Sequence, residues 1–396
     1  MARPPNILWI VTTQWRAQAC GYAGDGQART PVLDALASQA TNYTQAVTPH
    51  PFGPFARAAL LTGVPSPANG VGDYFDPLPE GARTIAHDLT ERGYTTAFFG
   101  KWHLARRDRA APLVGETHAR QLVPPGSRGG FGFWEGFESG FLLNDPYLHG
   151  SRLPVPVRFS GYQSDVLCER AGEWLPAAGP WFAVVSLEAP HPPYTAPSAG
   201  VTAVDPAAVR LAANVPPGPA AARARRELAG YYAHLAATDR ALAGLLAAAP
   251  ADRTVVVFTS VHGDMHGAHG LFRKGWPQEE SVRVPFLVRR PGEGARREAR
   301  VVSLLDLPAM TRAWADGASW SAGSDFRRIS MPSVVALPDQ CPRIWRGVRT
   351  PTRKLVLNAD DSPWLFFDLG SDPAELHNLA ADPLRGGELA ALRALV

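Results

Sequence analysis

The sequence is short of cysteine, of long apolar runs and of net charge, and each shortage argues against a class of function. Its three cysteines, Cys20, Cys168 and Cys341, stand far apart with no CxxC spacing. That argues against a disulfide framework and against a thiolate zinc site. The apolar run near the start, Ile7 to Val11, is five residues long and leads straight into polar chain. A secretory signal needs a longer apolar core and a small-residue cleavage site, and a membrane span needs about 20 apolar residues. The expectation is a soluble, cytoplasmic protein with no membrane partner. A net charge of +3 gives no argument for nucleic acid. The local basic runs "RARR" (Arg223 to Arg226) and "RREAR" (Arg296 to Arg300) read as solvated helix or loop faces.

What is present is ordinary globular chain: 396 residues, 45% hydrophobic and 19% charged, enough to bury a sizeable core. "NILWIVTT" (Asn6 to Thr13) has the pattern of a buried strand. Helix-like and strand-like segments then alternate. "TPVLDALASQA" and "TIAHDLTERG" read as helices and "YTTAFFG" as a strand. "SDVLCERAGEWL" precedes the strand "PWFAVVSLEAP", and "ELAGYYAHLAATDRALAGLLAAA" precedes "TVVVFTS". This alternation predicts an α/β sheet with helices on both faces. Residues 108–156 and 206–224, rich in Gly, Pro or Ala, read as loops. After Leu307 the alternation weakens; "WRGVRTPTRKLVLN" and "LFFDLGSDP" read as antiparallel strands, followed by a short helix from Leu384. The expected division is a main α/β domain over 1–310 and a smaller C-terminal α+β subdomain over 311–396.

In open α/β sheets, ligands gather at the carboxyl ends of the strands. There the chain carries "PNILWIVTTQWR", "RAALLTG", "GKWHL", "EAPHPPY", "FTSVHGDMHGAHGLFRKG" and "FFDLGSDPAELHNLA". In these motifs, their order and their spacing, the chain resembles the type I sulfatases of the alkaline phosphatase superfamily over nearly its whole length. The resemblance implies a mixed central sheet flanked by helices. It also implies a formylglycine nucleophile made from a Cys, and a calcium-type ion held by oxygen ligands.

Both centres depart from the family pattern. Where the family's first strand ends in "TDDQR", this sequence has Thr12-Thr13-Gln14-Trp15-Arg16, and the later Asp-His or Asp-Asn pair is Val261-His262. A hard divalent cation needs about six oxygen donors, mostly carboxylate, so no calcium is expected. In "PHPFGPFARAALLTG", aligned on Arg57, the nucleophile position is Gly53 and the maturation motif's Pro is Phe55. Neither formylglycine nor any other cofactor is expected.

By the same match, Lys101, His103 and His191 are the catalytic candidates, and Arg57, Lys274 and His262 the substrate-binding ones; Trp15, where the family has Gln, joins the latter for its flat apolar surface. Each has a plainer reading. His103 and His191 would be core histidines, Arg57 a helix anchor through a salt bridge, Lys274 a solvated loop lysine. Trp15 would either stack on a ligand ring or fill the space left by the ion. The spacing of His262, His266 and His269 would gather them on one face if the stretch were helical, a zinc reading that the interrupting glycines weaken. With the carboxylates gone and the cations kept, an anionic ligand is expected. The favoured function is a metal-independent enzyme acting by transfer or elimination on a sulfated, sulfamoylated or phosphorylated small molecule. The alternative is a non-catalytic pseudo-sulfatase that binds such an anion or a partner protein.

Overall fold

The computed structural model describes residues 3–396. In chain order the main elements are β1 (Asn6–Thr12), α1 (Pro31–Ala37), β2 (Thr41–Val47), α2 (Gly53–Thr62), α3 (Ile85–Glu91), β3 (Thr95–Lys101), α4 (Glu116–Ala119), β4 (Phe133–Phe137), β5 (Tyr147–Gly150) and β6 (Val157–Arg158). Then come α5 (Gln163–Trp174), β7 (Trp181–Ser186), α6 (Pro219–Ala248), β8 (Thr254–Ser260), α7 (Glu279–Val282), β9 (Phe286–Arg289), β10 (Arg296–Ser303) and α8 (Leu307–Ala315). The chain closes with β11 (Arg327–Met331), β12 (Trp345–Arg349), β13 (Arg353–Asn358), β14 (Pro363–Asp368) and α9 (Gly386–Arg393).

Ten strands form one mixed sheet in the order β10-β2-β9-β8-β1-β7-β3-β4-β5-β6. At its centre β8, β1, β7 and β3 run parallel. Every residue of β1 is buried, as a parallel strand covered on both faces requires. Register then fixes the site. Thr12 pairs with Ser260, Val11 with Ser186 and Gly100 with Ser186, so four strands end at one level. Gly100 is needed there: its φ is +95, a backbone conformation that residues with a side chain rarely adopt, and a Cβ would lie 2.1 Å from the Ser186 carbonyl oxygen.

The long helix α6 lays Leu228, Tyr231, Leu235, Leu242 and Leu245 into the core at helical spacing. A second sheet, β11-β12-β13-β14, is antiparallel throughout. Its inner residues Ile329, Met331, Trp345, Val356 and Phe367 share the apolar core of the main sheet, while Leu392 of α9 packs with Val348 and Phe366 on the other side. Helix α8 runs across the expected boundary at 310/311.

Several loop expectations are corrected. Residues 108–156 contribute β4 and β5, which extend the main sheet; their glycines hid the strand pattern. Residues 206–224 contain a short 3-10 turn, and α6 already begins at Pro219. "RREAR" lies in the edge strand β10, whose exposed arginines fit an unpaired sheet edge.

Candidate active site

A cavity of about 720 Å³ opens at the carboxyl ends of the parallel strands. Thr13, Gly53, Lys101, His103, His191 and Lys274 line it, with His262 beside them. Lys101 is the last residue of β3, Thr13 follows β1, His262 follows β8, and Gly53 opens α2. The apolar wall includes Phe52, Tyr74 and Phe141. Phe141 stacks on the His191 ring at 4.4 Å and carries the Lys101 ammonium 4.5 Å above its own ring.

Lys101 Nζ donates to Glu188 Oε1 at 2.6 Å, with both side chains essentially unexposed. Burial lowers the Lys101 pKa to about 8 against the opposing pull of Glu188, with Arg57 adding to the lowering. The expectation that these cations lack a counter-charge is therefore corrected for Lys101: Glu188 supplies one. Lys274 differs. Its Nζ donates to Gln14 Oε1 at 2.5 Å and to His191 Nε2 at 2.9 Å. Burial, then the Lys101 charge, lowers its pKa to about 7.

The tautomers follow from the partners. His191 Nδ1 lies 2.7 Å from the Pro192 carbonyl oxygen, an acceptor only, so Nδ1 carries the proton and Nε2 accepts from Lys274. His262 Nδ1 likewise donates to Gly263 O at 2.8 Å, which leaves its buried Nε2 lone pair without a partner. Burial holds His103, His191 and His262 neutral, well below the usual histidine range, and the nearby cations reinforce it.

Two sequence-predicted residues do not reach the cavity. Arg57 is buried and spends its guanidinium on protein oxygens: Nη1 on Lys101 O at 3.1 Å and Ser186 Oγ at 2.5 Å, Nη2 on Thr13 Oγ1 at 2.8 Å. It anchors α2 to the ends of β1, β3 and β7, through neutral acceptors rather than a salt bridge. Trp15 turns into the core: its Nε1 donates to Ala19 O at 2.9 Å and its ring meets Phe258 edge-on at 5.3 Å. It does not line the cavity, and the residue before it, Gln14, has a φ of +69.

The stretch from His262 to His269 does not gather its three histidines on one helix face. The stretch is not helical; His266, Gly267 and His269 all have positive φ. His266 is buried between Tyr194 and Tyr231, whereas His269 joins Glu280 and Glu375. That group already holds a cation, since the Lys354 ammonium rests on the Glu375 carboxylate.

Other residues of the site were not singled out from sequence. Glu188 stands inside "EAPHPPY", and its position just after a strand was the available signal. Asp264 stands inside "HGDMHG" and accepts from Tyr194 OH at 2.5 Å and Gln14 Nε2 at 2.5 Å. Burial would raise its pKa, but His266 and Arg273 outweigh that and keep it ionised. Gln14 thus bridges the Lys274 ammonium and the Asp264 carboxylate. Arg107, which pairs with His103, sits in a loop with no sequence signal.

Comparison with known proteins gives one consistent answer. A sequence model of the family described as Sulfatase matches residues 5–318. An ulvan-active sulfatase from Formosa agariphila is 33% identical over 96% of this chain and 78% of its own length. A choline-sulfatase from Rhizobium meliloti is 26% identical over 96% of this chain and 83% of its own. Among solved structures, one in complex with its substrate D-glucosamine-2-N,6-O-disulfate superposes with a TM-score of 0.81 at 18% identity, covering 99% of this chain and 97% of that one. A phosphonate monoester hydrolase of Agrobacterium radiobacter does so with a TM-score of 0.74 at 22% identity, covering 99% and 96%.

Proposed function

Because the chain belongs to the sulfatase family, we propose that it is an enzyme that binds a sulfated, sulfamoylated or phosphorylated small molecule. It acts by transfer or elimination, with neither formylglycine nor calcium. One observation carries this reading: the Lys274 ammonium is hydrogen-bonded to Gln14, at a position where the resemblance calls for a metal-binding carboxylate.

The donor set supports it. Thr13 Oγ1 donates to Leu187 O and accepts from Arg57, Gln14 Oε1 is taken by an ammonium, Val261 offers nothing, and His262 offers one nitrogen. Such a set does not fit calcium, which wants several hard oxygen ligands. A positive charge is still delivered there, by an ammonium that can donate to an anion directly. Lys274 is the cation with the weaker internal compensation, since no carboxylate among the described residues pairs with it within 4.0 Å. It is therefore the charge best able to gain from an anionic ligand.

In this reading Lys274 and Lys101 hold the anion, while the neutral histidines handle protons. His262 Nε2 offers a lone pair as a base, and His103 offers an N–H. His191 links Lys274 to the aromatic wall. Relatives named for ulvan and for choline sulfate share only the anionic group, so the class of ligand is assigned at that level. Gly53 favours a second reading, binding without chemistry, because no side chain at that place can attack.

Calorimetric titration with inorganic sulfate, choline sulfate and a phosphate ester tests the site. Binding in the millimolar range or tighter is expected, weakened about tenfold by Lys274→Met, the scale of one charge-assisted hydrogen bond. Absence of binding by all three would refute the anion site. Turnover of any bound ester, lost in His103→Ala or His262→Ala, would eliminate the binding-only reading.

A further inference from the structure

His103 is held from both sides by groups with no role in the reading so far. Its backbone N–H donates to Glu138 O at 2.9 Å, and its φ is +60. On the ring, Nε2 lies 3.0 Å from Arg107 Nη1. A guanidinium has five donors and no acceptor, so this bond has one possible direction: Nε2 accepts. A neutral imidazole that accepts at Nε2 carries its proton at Nδ1. Burial, then the Arg107 charge, makes a second ring proton unfavourable.

The Nδ1–H has no acceptor among the described residues and is buried. It faces Gly53, where a Cβ would lie 3.0 Å from Nδ1. The side of the ring that a side chain at position 53 would crowd is left clear. Arg107 itself is fixed. Its Nη2 donates to the Tyr74 carbonyl oxygen, its Nε lies 3.3 Å from Glu138 Oε1, and its guanidinium sits 4.4 Å over the Tyr74 ring. Glu138 is held in turn by the Ala105 N–H at 3.1 Å to Oε2.

We propose that Arg107 and Glu138 are positioning residues that fix the His103 tautomer, so that it is the Nδ1–H, beside Gly53, that the histidine offers to an oxygen of the bound sulfate or phosphate group. This rests on the anion-site reading and adds to it the atom that points and the pair that aims it. The lost nucleophile then has a structural counterpart. Position 53 without a side chain lets an oxygen of the ligand, rather than of the protein, come alongside the histidine. The orphaned donor also gives the ligand a partner that water-exposed binding would not, because a buried N–H strengthens its bond in low dielectric.

Long-range proton–nitrogen NMR on protein labelled with nitrogen-15 histidine tests this, with His103 assigned through His103→Gln. The expected wild-type pattern is a pyrrole-type Nδ1 and a pyridine-type Nε2. Titration with inorganic sulfate should shift the Nδ1 resonance of His103. Arg107→Met should move the ring toward the Nε2–H form and weaken sulfate binding about tenfold, while Arg107→Lys, which restores a donor to Nε2, should keep the wild-type tautomer. Glu138→Gln should give a smaller shift in the same direction as Arg107→Met. A wild-type ring protonated at Nε2, or a tautomer indifferent to Arg107→Met, overturns the positioning role. Sulfate that binds by calorimetry without moving His103 Nδ1 overturns the Nδ1–H contact while leaving the anion site standing. Failure of sulfate to bind at all removes the anion site and that contact together, and the tautomer still decides the Arg107 relay. The wild-type measurements need no variant to fold.

Discussion

Lys274 Nζ lies 2.5 Å from Gln14 Oε1, and the other end of the same amide lies 2.5 Å from Asp264 Oδ2. The amide dipole is thereby oriented, with its oxygen on an ammonium and its nitrogen on a carboxylate. Gln14 joins the Lys274 ammonium to the Asp264 carboxylate without adding a second negative charge beside Asp264. The expected consequence is that the purified protein contains no stoichiometric calcium, and that added calcium leaves its melting temperature unchanged. Elemental analysis with one tightly held divalent ion per chain would refute this.

Gly53→Cys should not create sulfatase activity, even when expressed with a maturation enzyme. A Cβ there meets His103 Nδ1 at 3.0 Å and Cε1 at 3.3 Å, so the imidazole must shift by a few tenths of an ångström before any sulfur is added. Phe55 remains in the motif's Pro position, and the donors beside the site do not fit calcium. Release of nitrophenol from an aryl sulfate, well above the parent protein, would contradict this.

The fold was legible where hydrophobic pattern and register agree. The central strands β1, β3, β7 and β8 are short apolar runs ending in polar residues, and those ends are where the motifs fall. Edge elements were not legible: β4 carries Gly136 and β5 ends in Gly150, so neither shows clean alternation. At the site, motif position located Lys101, His103, His191, His262 and Lys274 on one cavity. It could not say which way a side chain turns. Arg57 and Trp15 hold their places along the chain, yet one turns to strand-end oxygens and the other to the core. Glu188, 87 residues from Lys101, becomes its partner only when the strands are brought together, and Arg107, four residues after His103, meets its ring only because the loop turns back on itself.

Arg57 offers a test of that distinction. Its removal leaves Ser186 Oγ and Thr13 Oγ1 without their donor, and the Lys101 carbonyl with the Ser186 hydroxyl alone, at the junction of α2 and the sheet. Arg57→Met should therefore destabilise the fold by about 2–4 kcal/mol, the range for losing several buried hydrogen bonds to a charged group. Sulfate affinity of the folded fraction should stay within about threefold of wild type. Denaturant unfolding measures the first and calorimetry the second. Unchanged stability with lost anion binding would restore Arg57 as a ligand contact.

The last prediction concerns pH, and its sign comes from Lys274. Its pKa falls from an ordinary 10.5 to about 7 in the folded protein, chiefly through burial and then the Lys101 charge, with Asp264 opposing. Between about pH 7 and 10.5 the unfolded chain binds more protons at this group than the folded chain does, so its contribution to stability rises with pH across that window. Below pH 7 the folded protein carries the full cost of a buried ammonium. Anion binding runs the other way. The ammonium that attracts sulfate is present below about pH 7 and disappears as pH rises through that value. Lys101, lowered to about 8, loses its charge a little later. A bound anion favours the charged form and moves both transitions upward. Sulfate affinity should thus fall by about tenfold or more between pH 6 and pH 9, and Lys274→Met should flatten most of that dependence. Calorimetry in buffers of equal ionic strength is the measurement. An affinity that is level across this range in the wild type, or that declines as steeply in Lys274→Met, would show that another group holds the anion's charge.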